Sequence, residues 1–191
     1  MAIFSLFEII QILIAALATG YIFTGLYPFK LSKKDVLDSY IKRFDWSELW
    51  FSCLVAAPAI ILHEIGHKFV AIALGLNAHF EVFPMGLVIG IVLKLFGSGF
   101  ILLAPGYVVI ANASILQGML TAFAGPFVNL VLWLSGYFVL KYSKNMSRKG
   151  AIFWSLNKEI NKWLFIFNMI PIPPLDGSKV LIPLFRIIFG I

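Results

Sequence analysis

The fold follows from one apolar segment, residues 49–76, which reads LWFSCLVAAPAIILHEIGHKFVAIALGL. A helix crosses about 30 Å of hydrocarbon with roughly 20 apolar residues, and this segment is long enough to do so. Its apolar run is broken by four ionisable side chains: His63, Glu64, His67 and Lys68. Ionisable residues within a membrane helix cost about 3 kcal/mol each when unpaired, so they mark functional sites. The segment therefore predicts a membrane-spanning helix that carries chemistry.

The composition of the whole chain also favours a membrane protein. Of its 191 residues, 61% are apolar and 13% are charged, whereas soluble domains are nearer half apolar and a quarter charged. The net charge of +6 comes mostly from two basic clusters between charge-free runs, which is typical of proteins held at lipid headgroups. We therefore expect a multi-pass protein of the lipid bilayer, located in the cell membrane, and no nucleic-acid partner.

The apolar runs predict about four membrane-spanning helices. They cover residues 9–26, 49–76, 114–140 and 163–190. The first run lacks the basic start and the cleavage site of a removable signal peptide, so we expect a retained helix. Charged linkers at residues 30–48 and 141–162 follow the first and third runs. The predicted organisation is an N-terminal helix with its linker, residues 1–48, and a core of residues 49–191.

Residues 77–112 break the helical pattern. Short β-branched and aromatic runs alternate there with Gly and Pro, as in FEVFPMGLVIGIVLKLFGSGFILLAPGYVVI. Turn formers at such short intervals predict strands and hairpins instead of another helix. Backbone of this kind lies at membrane depth only where protein or a water-filled cavity covers it. The predicted fold is a mainly α-helical membrane protein with a β-hairpin region between its second and third spans.

The sequence HEIGH at residues 63–67 fits the metal-binding pattern H-E-x-x-H. Helical side chains four residues apart differ by about 40° around the axis, so both imidazoles can hold one metal ion. Glu64 lies one step round the helix, where a carboxylate can take a proton from a metal-activated water. The pattern alone is weak, because a surface helix can carry two imidazoles, but its place in a membrane span favours the metal. With Cys53 as the single cysteine, no cysteine-built metal site is available.

A third ligand is needed, because a catalytic zinc keeps three protein ligands and one open position. Asp176 is the one acid inside another predicted span, directly after a helix broken by the prolines of residues 171–174. Glu81 falls in the strand-like segment and Glu159 in a basic linker. Asp176 is therefore the predicted third ligand. Its alternative role is that of a helix N-cap, which an Asp can combine with ligation.

These motifs resemble, in order, those of the site-2 protease family of intramembrane zinc metalloproteases. HEIGH matches the family's H-E-x-G-H, and NMIPIPPLDG at residues 168–177 resembles its N-x-x-P-x-P-x-x-D-G signature. AGPFVN at residues 124–129 resembles the motif A-G-P-x-x-N. APGYVVI at residues 104–110 resembles the Pro-Gly edge of a membrane-reentrant β-hairpin. The chain departs from the pattern at Ser178, where the family usually has a second glycine.

The resemblance implies one Zn²⁺ per chain, with His63, His67 and Asp176 as metal ligands. It implies that Glu64 is the catalytic acid and base, and that Asn168 orients or polarises the substrate carbonyl. The activity implied is that of a zinc endopeptidase, which hydrolyses peptide bonds within or near a transmembrane segment of another membrane protein in regulated intramembrane proteolysis. No loop is long enough for a PDZ domain, and the fifteen residues after Asp176 leave no room for a nucleotide-sensing module. We therefore expect a minimal core that a membrane partner or the substrate regulates.

The leading alternative comes from a different class of protein, a metal-ion carrier or sensor that uses the same ligands without proteolysis. A carrier does not need a general base beside its metal, and a transporter would show internal repeats, which the chain lacks. The side of the membrane that the site faces stays open. The Lys and Arg count places both linkers in the cytoplasm, whereas the resemblance implies the opposite orientation.

Three polar residues outside the main motifs have their own predictions. Asn129 is predicted either to bond neighbouring helices or to serve the site. Lys68 is expected to extend toward the interface or an aqueous vestibule. His79 is expected to lie at the interface instead of providing a fourth ligand, because a catalytic site keeps one position open.

Overall fold

A computed structural model describes residues 3–25, 45–96 and 105–190 of the chain. In chain order these residues form α1 (Leu6–Phe23), α2 (Trp46–Ala73), β1 (Ala78–Val82), α3 (Pro84–Leu95), β2 (Gly106–Ile110), α4 (Ile115–Tyr142), α5 (Arg148–Asn168) and α6 (Asp176–Phe189). Helix α2 packs against α1, α4, α5 and both strands, so it occupies the centre of the fold. The structure is thus mainly helical, with one small sheet, as the sequence predicts.

Three of the described helices, α1, α2 and α4, are long and apolar enough to cross a membrane. Side chains fix where each begins. Ser5 and Ser114 form capping boxes at the starts of α1 and α4, and Asp45 accepts hydrogen bonds from two backbone N–H groups at the start of α2. Helix α2 therefore begins three residues before the boundary predicted at residue 49. These three helices support the assignment of the chain as a membrane protein.

The predicted basic linker, residues 141–162, is largely helical, so that prediction is wrong. It contributes most of α5, in which Glu159 pairs with Lys162 at helical spacing and also with the adjacent Lys158. The predicted fourth span, residues 163–190, is divided between the end of α5 and the short α6. The interruption falls at residues 169–175, where the sequence places its prolines, so the predicted break before Asp176 is confirmed.

The segment between the second and third spans is only partly strand. β1 and β2 pair antiparallel, with Phe80 opposite Val108, which confirms two of the predicted strands. Between them lies α3 instead of further hairpins, because Pro84 suits the first position of a helix and the buried residues 86, 87 and 90 recur at helical spacing. The rest of this segment, residues 97–104, and the predicted linker at residues 30–44 lie outside the described residues.

A buried ion pair ties the first helix and the sheet to α2. Lys68 is only 2% exposed and pairs with Glu8 of α1, so the prediction that it reaches the interface or a vestibule is wrong. One oxygen of the Glu8 carboxylate also accepts the backbone N–H of Phe80 in β1 at 2.8 Å, and the other accepts the N–H of Ser5 at 2.9 Å. The pairing lets both charges be buried, and it fixes β1 beside the helix that carries HEIGH.

Candidate metal centre

Three side chains predicted as metal ligands converge in the structure. His63 and His67 lie one turn apart on α2, and Asp176 approaches them from the start of α6. The two Nε2 atoms are 3.0 Å apart, and Asp176 Oδ2 lies 3.1 Å from His63 Nε2 and 3.3 Å from His67 Nε2. Tetrahedral ligands with zinc bonds of 2.0–2.1 Å are about 3.3 Å apart. The spacing of these three atoms therefore fits one zinc ion.

The hydrogen bonds of the two imidazoles direct their free nitrogens toward the same point. The carbonyl of Thr121 can only accept, so His67 Nδ1 donates to it at 2.7 Å. His63 Nδ1 donates to the side-chain oxygen of Asn129 at 2.6 Å. In both neutral rings the lone pair is then on Nε2, next to the Asp176 carboxylate. Lone pairs from two nitrogens and a carboxylate oxygen on one point fit a cation, and the donor types suit Zn²⁺.

Gly125 of α4 leaves the space in which these ligand atoms meet. A methyl group at this position would lie 2.4 Å from His67 Nε2 and 2.7 Å from His63 Nε2. Both distances are far shorter than ordinary van der Waals contact, so only glycine allows the imidazoles to take this arrangement beside α4. The helix backbone thus forms one wall of the centre.

The non-helical residues 169–175 between α5 and α6 bring Asp176, at the start of α6, next to His63 and His67. Leu175 occupies the N-cap position and makes no side-chain cap, while Asp176 is the first helical residue, so the alternative of an N-cap role for Asp176 is wrong. A Cβ on Gly177 would lie 2.4 Å from the backbone of Met169, which shows how closely α6 packs against the end of α5. Asn168, the last residue of α5, is half-buried and immediately precedes this contact.

Two of the other acids, Glu81 and Glu159, and the third histidine, His79, make contacts that do not involve the three ligands. His79 is exposed on β1 and lies 3.1 Å from Glu81, which also accepts the hydroxyl of Tyr107 at 3.0 Å. Glu159 is held in its ion pairs on α5. Glu64, by contrast, follows His63 directly on α2 and is half-buried. It therefore lies on the same helical turn as the two ligand histidines.

Two contacts to the histidines were not predicted from the sequence. The Thr121 carbonyl belongs to the backbone of α4, and no sequence pattern marks it. Asn129 was predicted with two alternative roles, and it combines them: it accepts from His63 and donates to the carbonyl of Ala59 and to the side chain of Asn161 on α5. Asn161 itself was missed because it lies in the segment predicted as a basic linker, where the sequence gives no sign that this side chain is fully buried.

Comparison with known proteins gives the same class of protein as the geometry. The chain is 33% identical over 183 residues to "Putative zinc metalloprotease MJ0611" of Methanocaldococcus jannaschii, covering 93% of this chain and 85% of that protein. It is 30% identical to a protein of the same description, YwhC of Bacillus subtilis, over 63% of this chain and 62% of that protein. A third relative so described, sll0528 of Synechocystis, is 33% identical over 68% of this chain and 30% of its own length. No family model and no solved structure matches the chain.

The chain belongs to the same zinc metalloprotease family as these relatives. Their names support a hydrolase that acts on proteins and uses zinc, and the cluster of His63, His67 and Asp176 fits that metal. The names do not specify the site-2 protease family, so that narrower assignment stays a prediction. The chain spans less than two thirds of the Bacillus and Synechocystis proteins.

Proposed function

We propose that this protein is an intramembrane zinc endopeptidase of the site-2 protease type, which hydrolyses peptide bonds within or near a transmembrane segment of another membrane protein. The observation that carries the proposal is the convergence of His63 and His67, on a helix of membrane-spanning length, with Asp176 from a second helix. Glu64 follows His63 directly on the first of these helices. Sites of this composition on a soluble helix are common in proteases, but here the ligand histidines are 6% and 7% exposed. Burial of the ligands between helices of membrane-spanning length supports a substrate that reaches the site from the bilayer.

The proposed chemistry assigns one task to each polar side chain. His63, His67 and Asp176 would hold one Zn²⁺, which supplies a Lewis acid for the scissile carbonyl and lowers the pKa of water to about 7. Glu64 accepts the proton of the attacking water and delivers it to the nitrogen of the leaving amine as the C–N bond breaks. Asn168 donates its side-chain N–H to the carbonyl oxygen as negative charge develops there. The products are a new carboxyl terminus and a new amino terminus.

The substrate must reach the centre in an extended form. In a transmembrane helix each carbonyl is hydrogen-bonded and shielded by side chains, so the segment has to unwind before water can attack. The sheet next to α2 offers backbone groups that replace the lost hydrogen bonds by strand addition. Gly, Pro or Asn in the substrate would favour the unwinding.

The pairing register indicates which edge of the sheet is open to such a strand. The N–H of Phe80 points away from β2 and is already bonded to Glu8, so the outer edge of β1 is covered. The residue opposite, Val108, directs its backbone groups away from β1. Within the described residues, no hydrogen bond from outside the sheet reaches the outer backbone groups of β2. We therefore place the extended substrate beside β2.

The proposal is tested by comparing membrane peptides from cells that produce the wild type, Glu64→Gln or Glu159→Gln. The amide in Glu64→Gln keeps the shape of the side chain but cannot accept the proton. Mass spectrometry should find peptides that end inside transmembrane segments with the wild type and with Glu159→Gln, the control at a surface ion pair. These peptides should disappear in Glu64→Gln, while its zinc content stays near the wild-type value.

Cleavage at the wild-type rate in Glu64→Gln would contradict the proposal. If that variant also keeps its zinc, the result would favour the metal-ion carrier or sensor, which needs the three ligands but no general base. We also propose a regulatory membrane partner, which co-purification with the Glu64→Gln variant would identify together with trapped substrate.

A further inference from the structure

A column of two asparagine side chains, Asn129 and Asn161, connects His63 to the backbone of α5. Asn129 on α4 accepts from His63 Nδ1, and its own amide nitrogen donates to Asn161 Oδ1 on α5 at 2.9 Å. Asn161 in turn donates to the backbone carbonyl of Asn157, one turn earlier on α5, at 2.8 Å. Asn129 and Asn161 are both fully buried. The column links three helices and ends at an imidazole that the proposed function makes a metal ligand.

The hydrogen bonds of this column fix which way the Asn129 amide faces. Its two N–H groups have two acceptors, the carbonyl of Ala59 at 2.8 Å and the side-chain oxygen of Asn161. With both acceptors present, the Asn129 oxygen has to face His63, and His63 Nδ1 has to carry the hydrogen. A reversed amide would direct N–H groups at the imidazole and its oxygen at another oxygen. That arrangement would favour the tautomer with the hydrogen on Nε2, the atom that faces Asp176.

The orientation of Asn161 is fixed in the same manner. Its amide nitrogen donates to a carbonyl in the preceding helical turn, so its oxygen is left to face Asn129. Successive hydrogen bonds, from the α5 backbone to Asn161, then to Asn129 and then to His63, therefore set the orientation of each amide. Metal-binding histidines depend on such outer partners for their tautomer and ring orientation.

We infer that Asn161 is a positioning residue, which keeps the lone pair of His63 Nε2 available for zinc by fixing the Asn129 amide. The inference rests on the proposed zinc site and adds to it a residue of α5 that touches neither the ligand atoms nor the substrate. Loss of an outer partner of this kind typically weakens metal binding about 10- to 100-fold. Because Asn161 acts through a second residue, we expect the lower end of that range.

The neighbouring Asn157 provides a matched control on the same helix. It is 5% exposed, and its side-chain oxygen has no hydrogen-bond partner among the residues that the structure describes. Asn157→Ala thus removes a buried amide of the same kind but keeps the backbone carbonyl that Asn161 uses. Its zinc affinity should equal that of the wild type, since the column remains complete.

The test measures zinc dissociation constants of the purified full-length protein by competition with a chelator. Asn161→Ala and Asn161→Leu should both bind zinc about tenfold more weakly than the wild type. Leucine has the same branching as asparagine without its hydrogen-bonding groups, and it is larger, so unlike alanine it leaves no cavity on α5. A role in packing alone would weaken only the alanine variant. Cobalt-substituted protein adds a second readout, because a change at His63 alters the visible absorption spectrum of the bound Co²⁺.

A double-mutant comparison separates positioning from general stabilisation of the helix bundle. With Asn129→Ala in place, Asn161 has no amide to orient, so adding Asn161→Ala should not weaken zinc binding further. Additive losses, or an unchanged dissociation constant in folded Asn161→Leu, would overturn the inference while leaving the zinc site standing. A wild-type protein that binds no zinc would instead overturn the proposed function and this inference with it.

Discussion

Replacing Gly125 by alanine should abolish zinc binding while the fold survives. A methyl group at this position would lie 2.4 Å from His67 Nε2 and 2.7 Å from His63 Nε2. Carbon and nitrogen in ordinary contact are at least about 3.4 Å apart, so the two ring nitrogens would have to retreat by roughly 1 Å. Zinc sites tolerate deviations of about 0.2 Å in their bonds. We therefore expect zinc affinity to fall by about 100-fold or more, beyond the usual cost of losing an outer partner.

The same substitution should do little harm to helix α4 itself. Alanine favours an interior helical position over glycine by about 1 kcal/mol, and the atoms in its way are the ends of two side chains, which can turn aside. The assay is metal analysis of the purified variant together with its thermal unfolding in detergent. Gly118→Ala is the control on the same helix, since a methyl group there would meet nothing within 4 Å. That variant should keep its zinc and gain about 1 kcal/mol in stability.

A wild-type zinc content in Gly125→Ala would refute this reasoning. It would mean that the imidazoles hold the metal in an arrangement other than the one that places both Nε2 atoms beside α4. Equal loss of zinc in Gly118→Ala would also refute it, because a general response of α4 to a methyl group would then explain both results.

Two further predictions concern side chains outside the ligand set. Asn168→Ala should lower turnover by about 100-fold with little change in zinc content, as removal of one donor to a developing oxyanion does, whereas loss of zinc would show that the residue is structural. Glu8→Gln should destabilise the protein by about 3–5 kcal/mol in unfolding experiments, because it leaves the ammonium of Lys68 buried without a counter-charge. Adding Lys68→Met should recover most of that stability, and a double variant as unstable as Glu8→Gln alone would exclude the buried charge as the cause.

The ligand cluster could be predicted because the two histidines are close in sequence and few acids compete for the third position. His63 and His67 lie four residues apart on a helix that had to cross a membrane, and their pairing on one face follows from helical geometry alone. Asp176 could be found by elimination, since the other predicted spans contain no acid apart from Glu64. The structure brings these three residues together from positions up to 113 residues apart.

The features that escaped prediction depend on contacts distant in sequence. Lys68 was expected to reach the interface or a vestibule. Its pairing could not be foreseen, because its partner Glu8 lies 60 residues earlier, at the start of another helix. Helix α3 was predicted as strands because short β-branched runs alternate there with Gly and Pro, and its packing against α1 overrides that local preference. Here Lys94 of α3 bonds to the carbonyls of Tyr21 and Thr24 at the end of α1, a contact that no local pattern announces.

The most direct test of the account is the zinc content of the purified wild type, Glu64→Gln and Asp176→Ala, measured side by side by elemental analysis. Asp176 completes the ligand set from a different helix, whereas Glu64 stands beside the metal without holding it. The account predicts one zinc per chain in the wild type and in Glu64→Gln, and almost none in Asp176→Ala. A full complement of zinc in Asp176→Ala, or none in the wild type, would contradict it.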